Sequence, residues 1–261
     1  MLNREEIERI AKERGDQAKI IEKDYLLEII LFLLQEYEKN LVFKGGTALY
    51  KLYSLNRFSE DLDFTLIKKI DAEKLTRTIM KKLKQIGVLG RIKETSLYRN
   101  QQNIRFELRG PLFDGNPNTT NLITINISMK EKPIYKPKEE RIYPIYRDIP
   151  SFTVQVMPIE EIFAEKIRAL FTRNKPRDVY DIWFLIKKRS NINIQDINKK
   201  LKLYKEKFNE KRFIDKIEEK RKSWNMDLKG LIKENPPDFN IIKKEIIENI
   251  NFISQNSSPQ E

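Results

Sequence analysis

Neither cysteine nor histidine occurs in this 261-residue chain. Their absence excludes thiol nucleophiles, disulfides, Cys/His zinc sites and any Ser-His-Asp triad. Glycine is scarce too, at eight residues, which makes the adjacent pair Gly45 and Gly46 conspicuous. Long apolar runs are missing: the nearest candidate, Tyr25 to Leu34, is interrupted by Glu28, so no membrane span is expected. The first residues, MLNREEIERIAKERG, are charged throughout and lack a signal-peptide core. The expectation is a cytoplasmic protein without membrane association. Chemistry must therefore rest on carboxylates, Lys, Arg, Tyr and hydroxyls, with or without a hard metal ion.

Charge is what the chain has in abundance. Charged residues make up 34%, the formal balance is +12 and the pI is near 9.5. An excess of that size suits a polyanionic partner, and both halves of the chain share it. The length allows one large domain or two small ones with a real core.

The most informative stretch is Leu41 to Leu66, LVFKGGTALYKLYSLNRFSEDLDFTL. It reads as a short apolar strand, a Gly45-Gly46 turn, a helix opening at Thr47, a loop through Arg57 and Ser59, and a second strand. Two glycines let the backbone approach a ligand with its N–H groups exposed. The helix that opens there points its positive end at the same spot. Along the second strand, residues two apart share a face, so Asp61 and Asp63 project together while Leu62 and Phe64 turn to the core. Adjacent carboxylates repel unless a cation sits between them, and a hard divalent ion such as Mg²⁺ or Mn²⁺ answers that need. A phosphate cradle beside such a pair suits a nucleoside triphosphate (NTP). Ser59, two residues before Asp61, reads either as a turn-stabilising hydroxyl or as a control point for phosphorylation.

At these residues the chain resembles the DNA polymerase β-like nucleotidyltransferases. Its wording, KGGTAL followed by RFSEDLDF, resembles the AbiEii/MenT branch, the toxin half of type IV toxin–antitoxin pairs. A second block, EKIRAL followed by RDVYDIW, resembles the same branch. The resemblance implies an α+β fold: a polymerase β-like core with a mixed sheet, followed by a helical C-terminal half. It implies a nucleotidyltransferase with an NTP substrate and Mg²⁺ or Mn²⁺ as cofactor, acting on the 3′ end of tRNA and restrained by a cognate antitoxin. Carried onto this sequence, the catalytic set is Asp61, Asp63, Lys166 and Asp181, with Asp61 and Asp63 as the metal ligands. Lys44, Gly45, Gly46, Thr47, Arg57, Ser59, Arg177 and Asp178 form the nucleotide-binding set. The resemblance also implies a third carboxylate on a later strand, where LITINISM offers only Asn126; Glu107 is the alternative. Two rival readings stay open: a non-catalytic NTP-binding protein, and a nucleotidyltransferase acting on protein hydroxyls.

The remaining elements follow from periodicity and caps. Helices are expected over Asn3–Glu13, from an Asp16 cap to about Tyr37, and over Asp71–Gln85. Strands are expected at Gly90–Tyr98, Asn103–Arg109, Leu122–Met129 and Phe152–Val156, with 134–150 extended at most. Helices at Ile159–Phe171, Asp178–Lys188, Asp196–Phe208, Lys211–Ser223 and Asn240–Ile250 complete the chain. The domains read as 1–157 for the core and 158–252 for a helical lobe contributing to the active site, with a disordered tail over 253–261. The basic region Lys187–Lys222, with Tyr204, Phe208 and Phe213 interleaved, suits either an RNA end or a solvated surface over core aromatics.

Overall fold

The structure, a computed structural model, describes residues 1–190 and 192–256. The chain divides into two compact units. The first comprises Met1–Ser54 and Phe58–Met157 and holds the whole sheet; the second comprises Leu55–Arg57 and the chain from Pro158 on.

In the first unit the elements run α1 (Arg4–Arg14), α2 (Ala18–Leu33), β1 (Leu41–Lys44), α3 (Gly45–Tyr53), β2 (Asp61–Leu66), α4 (Ala72–Gln85), β3 (Leu89–Tyr98), β4 (Gln101–Arg109), β5 (Asn121–Ser128), β6 (Lys138–Ile142) and β7 (Phe152–Val156). Asn3 and Glu6 close a reciprocal capping box at the start of α1. The expected Asp16 cap shifts to Gln17, which makes no side-chain cap bond. Helix α2 is buried on most of its surface, including Asp24 and Glu28. The Glu28 that interrupts the apolar run meets Lys51 Nζ of α3 at 2.5 Å, and Asp24 lies 2.8 Å from the same ammonium. Paired in this way, charges can sit inside an otherwise apolar helix packing.

The sheet is seven-stranded and mixed, in the order β3-β4-β5-β2-β1-β7-β6. β2 pairs antiparallel with β1 and parallel with β5, while β4 pairs antiparallel with both β3 and β5. Alternation decides its two faces. Leu62, Phe64, Ile104, Phe106, Ile123 and Ile125 are buried on one, against which α2 and α4 pack. Their neighbours Asp61, Asp63, Thr124, Asn126, Asn103 and Arg105 lie on the other. The segment 134–150, expected to be extended at most, contributes the edge strand β6, which pairs with β7.

The second unit is helical: α5 (Ile159–Thr172), α6 (Arg177–Lys187), α7 (Ile194–Lys202), α8 (Glu210–Glu218), α9 (Trp224–Leu228) and α10 (Phe239–Asn256). Helix α7 stops short of the expected Phe208 because the chain turns through Lys205 at φ +60°. Asn209 then caps α8 by accepting from Arg212 N. Helix α10 runs to Asn256, past the start of the expected tail, and residues 257–261 lie outside the described residues. Phe171, Phe208 and Phe213 cluster with ring centroids 5.7 to 6.5 Å apart, and Phe213 is fully buried. Tyr204 lies under the Arg168 guanidinium at 4.9 Å. The aromatics of the basic region thus pack within this unit. Among the described residues no helix is long and apolar enough to cross a membrane.

Candidate active site

In the first unit, β1 delivers the chain into Gly45, whose φ of +78° turns it sharply into α3. A side chain at that position would place its Cβ 2.5 Å from Asp63 Oδ2 and 3.0 Å from Asp63 Cβ. Glycine is therefore required twice over, for the left-handed φ and for the close approach. The register sets Lys44 opposite Asp63, so both side chains leave the same face. Lys44 and Gly46 are buried there, Lys44 at the end of β1 and Gly46 in the first turn of α3.

The parallel pairing of β2 with β5 sets Asp61 beside Thr124 and Asp63 beside Asn126. Asn126 Nδ2 donates to Asp63 Oδ1 at 3.0 Å. One oxygen of Asp63 is thus held by an amide, and the other faces the space that a side chain at position 45 would occupy. Burial and the neighbouring Asp63 charge push the Asp61 carboxyl above its ordinary range. The Thr47 hydroxyl donates to the Asp61 carbonyl and lies 2.9 Å from the Ser59 hydroxyl. Thr47 and Ser59 are both buried, and together they tie α3 to the start of β2.

Replacing Gly45 with Ala is expected to cost roughly 1–2 kcal/mol for the left-handed backbone alone. It would also push Asp63 off its Asn126 bond. The expected outcome is a lower melting temperature together with loss of Mg²⁺-induced stabilisation. Unchanged Mg²⁺ stabilisation would separate this glycine from the carboxylate pair.

In the second unit, Arg57, Lys166, Arg173, Asp178 and Asp181 form one ionic cluster. Arg57 Nε and Nη2 donate to the two Asp181 oxygens, each at 2.7 Å. Lys166 Nζ lies 2.7 Å from Asp181 and 3.4 Å from Asp178. Arg173 forms a second fork, with both contacts to Asp178 at 2.7 Å. Asp178 and Asp181 are wholly buried, three residues apart on α6. Burial alone would push both carboxyls up, but neighbouring cations outweigh it: Arg173, Lys166 and Arg57 hold Asp178 well below the ordinary range, and Arg57 and Lys166 lower Asp181. Three cations thus gather around two buried carboxylates.

The other sequence candidates are separated from this cluster or from the carboxylate pair. Arg177 is tied at the start of α6 to Asp227 of α9, through its backbone N at 3.0 Å and its guanidinium at 3.2 Å. Glu107 pairs across from Leu122 and accepts from Arg91 Nε at 2.5 Å, with Lys93 3.6 Å away. It therefore lies two strands from β2, while Asn126 is the residue directly beside Asp63. Arg173 is the residue that sequence reading missed. Its only signal is a basic residue five positions ahead of Asp178, which many exposed arginines share. Among the described residues no group of three or more carboxylates gathers as a ready metal site. The candidate donors for a cation are the two β2 carboxylates, hard oxygen ligands with the Asn126 amide beside them.

No curated protein matches this chain. Among solved structures, JHP933 from Helicobacter pylori is similar at a TM-score of 0.64 and 23% identity, over 92% of this chain and 94% of that one. MenT4, a nucleotidyltransferase toxin (Rv2826c) from Mycobacterium tuberculosis H37Rv, is similar at a TM-score of 0.66 and 17% identity, over 99% and 91% respectively. At those identities the likeness is one of fold, and it agrees with the expected α+β class and mixed sheet. Residues 29–245 match the family described as nucleotidyl transferase AbiEii toxin, type IV TA system. That span takes in both the β2 carboxylates with their glycine turn and the α5–α6 block. A match over most of the chain makes this protein a member of the AbiEii family, the nucleotidyltransferase toxins of type IV toxin–antitoxin systems.

Proposed function

We propose that this family member transfers a nucleoside monophosphate from an NTP to the 3′ end of a tRNA, with a divalent cation held by Asp61 and Asp63. The observation that carries this reading is the fit of Gly45 against Asp63. A backbone turn at the mouth of a helix sits so close to Asp63 that no side chain fits between them, and the repulsion between Asp61 and Asp63 calls for a cation. When bound, Mg²⁺ or Mn²⁺ would offset the negative charge that builds on the reacting phosphoryl group.

The chain's own residues do the rest. Gly45, Gly46 and Thr47 open α3 and offer backbone N–H groups to the triphosphate. Asn126 fixes Asp63 through its amide. For the second unit we propose an anion as ligand. The concentration of Arg57, Lys166 and Arg173 in one cluster suits an anionic oxygen, and Asp181 keeps the Lys166 ammonium in place. In the reaction, the acceptor hydroxyl oxygen bonds the α-phosphorus as the bond to the bridging oxygen breaks. Pyrophosphate departs and the hydroxyl proton passes to solvent, since an amide at 126 cannot take it. A cognate antitoxin would restrain the activity, as the family implies.

The test is incubation with each labelled NTP, Mg²⁺ and total RNA. Label on tRNA supports the reading. Label on protein would favour modification of a protein hydroxyl, and NTP binding without transfer would favour the non-catalytic alternative.

A further expectation concerns Asn126→Asp. It replaces a donor to Asp63 with a third carboxylate, which costs the metal-free fold on the order of 1 kcal/mol of repulsion. It also strengthens the site's draw on a cation. Thermal denaturation should show a lower melting point without Mg²⁺, a larger rise with it, and turnover equal to or above wild type. An unaltered Mg²⁺ response would detach residue 126 from the cation site.

A further inference from the structure

Over β5, β4 and β3 the sheet of the first unit has one covered face and one open face, and the open face runs on from the carboxylates of β2. Register places Asp63, Asn126, Asn103 and Ser96 in a row across β2, β5, β4 and β3. The next row holds Asp61, Thr124, Arg105 and Glu94. Strands lie about 4.8 Å apart, so each row extends roughly 14 Å from β2 to the edge. On β5, β4 and β3 the buried side chains belong to the opposite face, whereas Thr65 of β2 and Val42 and Lys44 of β1 are buried on this one, and β3 is exposed along almost its whole length.

The chemistry of this face is that of a polynucleotide partner. Along β3 and β4 it carries Arg91, Lys93, Arg105 and Arg109 against Glu94 and Glu107, an excess of two positive charges. Its centre holds amides and hydroxyls, and apolar side chains enter only near its ends. At one end is Tyr98, 61% exposed, with the Arg99 guanidinium 5.0 Å from its ring centroid. A flat aromatic with a guanidinium over it is a surface on which a base stacks. An apolar protein partner would find little here to bury.

We propose that the open face of β5, β4 and β3 is the platform for the acceptor strand, a single-stranded RNA end whose 3′ hydroxyl is delivered along the rows to Asp61 and Asp63. The proposal rests on the transfer reading given above and assigns its acceptor a surface. Arg105 and Arg109 contact phosphates, and Tyr98 stacks a base further from the reacting end. Glu94 and Glu107 occupy part of the cationic capacity, at 3.2 Å from Arg105 and 2.5 Å from Arg91. They temper affinity so that the product can leave.

The experiment measures binding of a 5′-fluorescein-labelled single-stranded RNA with a free 3′ hydroxyl, by anisotropy across a salt series on the full chain. For Arg105→Ala with Arg109→Ala we expect affinity at least about tenfold weaker and a salt slope smaller by about 1.4, from two lost phosphate contacts at about 0.7 each. Lys138→Ala with Arg141→Ala removes the same charge from β6, at the opposite edge of the sheet, and should leave both unchanged. Glu94→Gln with Glu107→Gln should tighten binding, a result that loss of folding cannot mimic. Equal affinity and slope in the Arg105/Arg109 variant would overturn the proposal and give the face to a protein partner instead. Equal losses in the β6 control would also overturn it, because the effect would then be net charge alone. Wild-type protein that binds the RNA on this face but transfers no label would defeat the transfer reading and leave the platform standing.

Discussion

Asp61→Ala and Asp63→Ala are each expected to abolish nucleotidyl transfer while the first unit stays folded. Both carboxylates sit on one face of β2, and among the described residues no group of three carboxylates gathers there to take over. Loss of preorganised charge stabilisation at a reacting phosphoryl group commonly costs 10² to 10³-fold or more. Here half of the proposed ligand set disappears with each substitution, so the larger end applies. The folded state should not suffer. Asp61 is already pushed up by burial and by Asp63, so removing either charge relieves repulsion in the metal-free protein. The two variants should differ in one respect: Asp63→Ala also strands the Asn126 amide that donates to it. Melting temperatures with and without Mg²⁺ check this, since a ligand that binds only the native state raises stability by mass action. Wild-type protein should gain stability with Mg²⁺, and both variants should not. Near wild-type turnover in either variant at saturating Mg²⁺ would sink the assignment.

Asp181→Ala should produce the largest loss of stability in the second unit. Asp181 is wholly buried and holds two cations, Arg57 by a fork at 2.7 Å and Lys166 at 2.7 Å. Breaking a buried pair by removing one partner costs about 3–5 kcal/mol, because the remaining charge is left without compensation. Here two cations, Arg57 and Lys166, lose a partner at once, so the upper end is expected. Arg57→Ala should cost less, since Asp181 keeps Lys166. At about 4–8 °C per kcal/mol for a unit of this size, the melting transition of the second unit should fall by well over 10 °C. The double variant Arg57→Met with Asp181→Leu tests what the pair is for. Apolar groups of similar volume often replace a buried ion pair at little cost, so stability should largely return. If Asp181 positions Lys166 for an anionic ligand, turnover should stay low in that stable variant. Turnover that recovers with stability would make the pair purely structural.

The pair of β2 carboxylates was legible because its geometry is local. An alternating strand puts residues two apart on one face whatever the rest of the chain does. The Gly45-Gly46 turn was legible for a similar reason: few other residues accept a φ of +78°. The role of Thr47 and Ser59 was less so. Their hydroxyls read equally well as phosphate ligands, yet both are buried and bonded between α3 and β2. Helix boundaries beyond Lys202 slipped because periodicity continues through Lys205, where the backbone turns left-handed at a non-glycine residue. Nothing in the run of lysines announces that turn.

The sequence by itself determined which chemistry is open to this protein. Without cysteine or histidine it must work through carboxylates and cations, and its two informative segments both lie within the span that matches the family. It determined too that Asp61 and Asp63 point together. Only the tertiary structure decided their neighbours. The parallel register of β2 with β5 puts Asn126 against Asp63 and leaves Glu107 two strands away. The same folding removes Arg57 from the loop of the first motif and gives it to the second unit, where its partner Asp181 lies 124 residues along the chain. Strand register and the pairing of buried charges are set by how distant segments pack, and each depends on every other contact in the core. Local propensity and spacing carry no record of them.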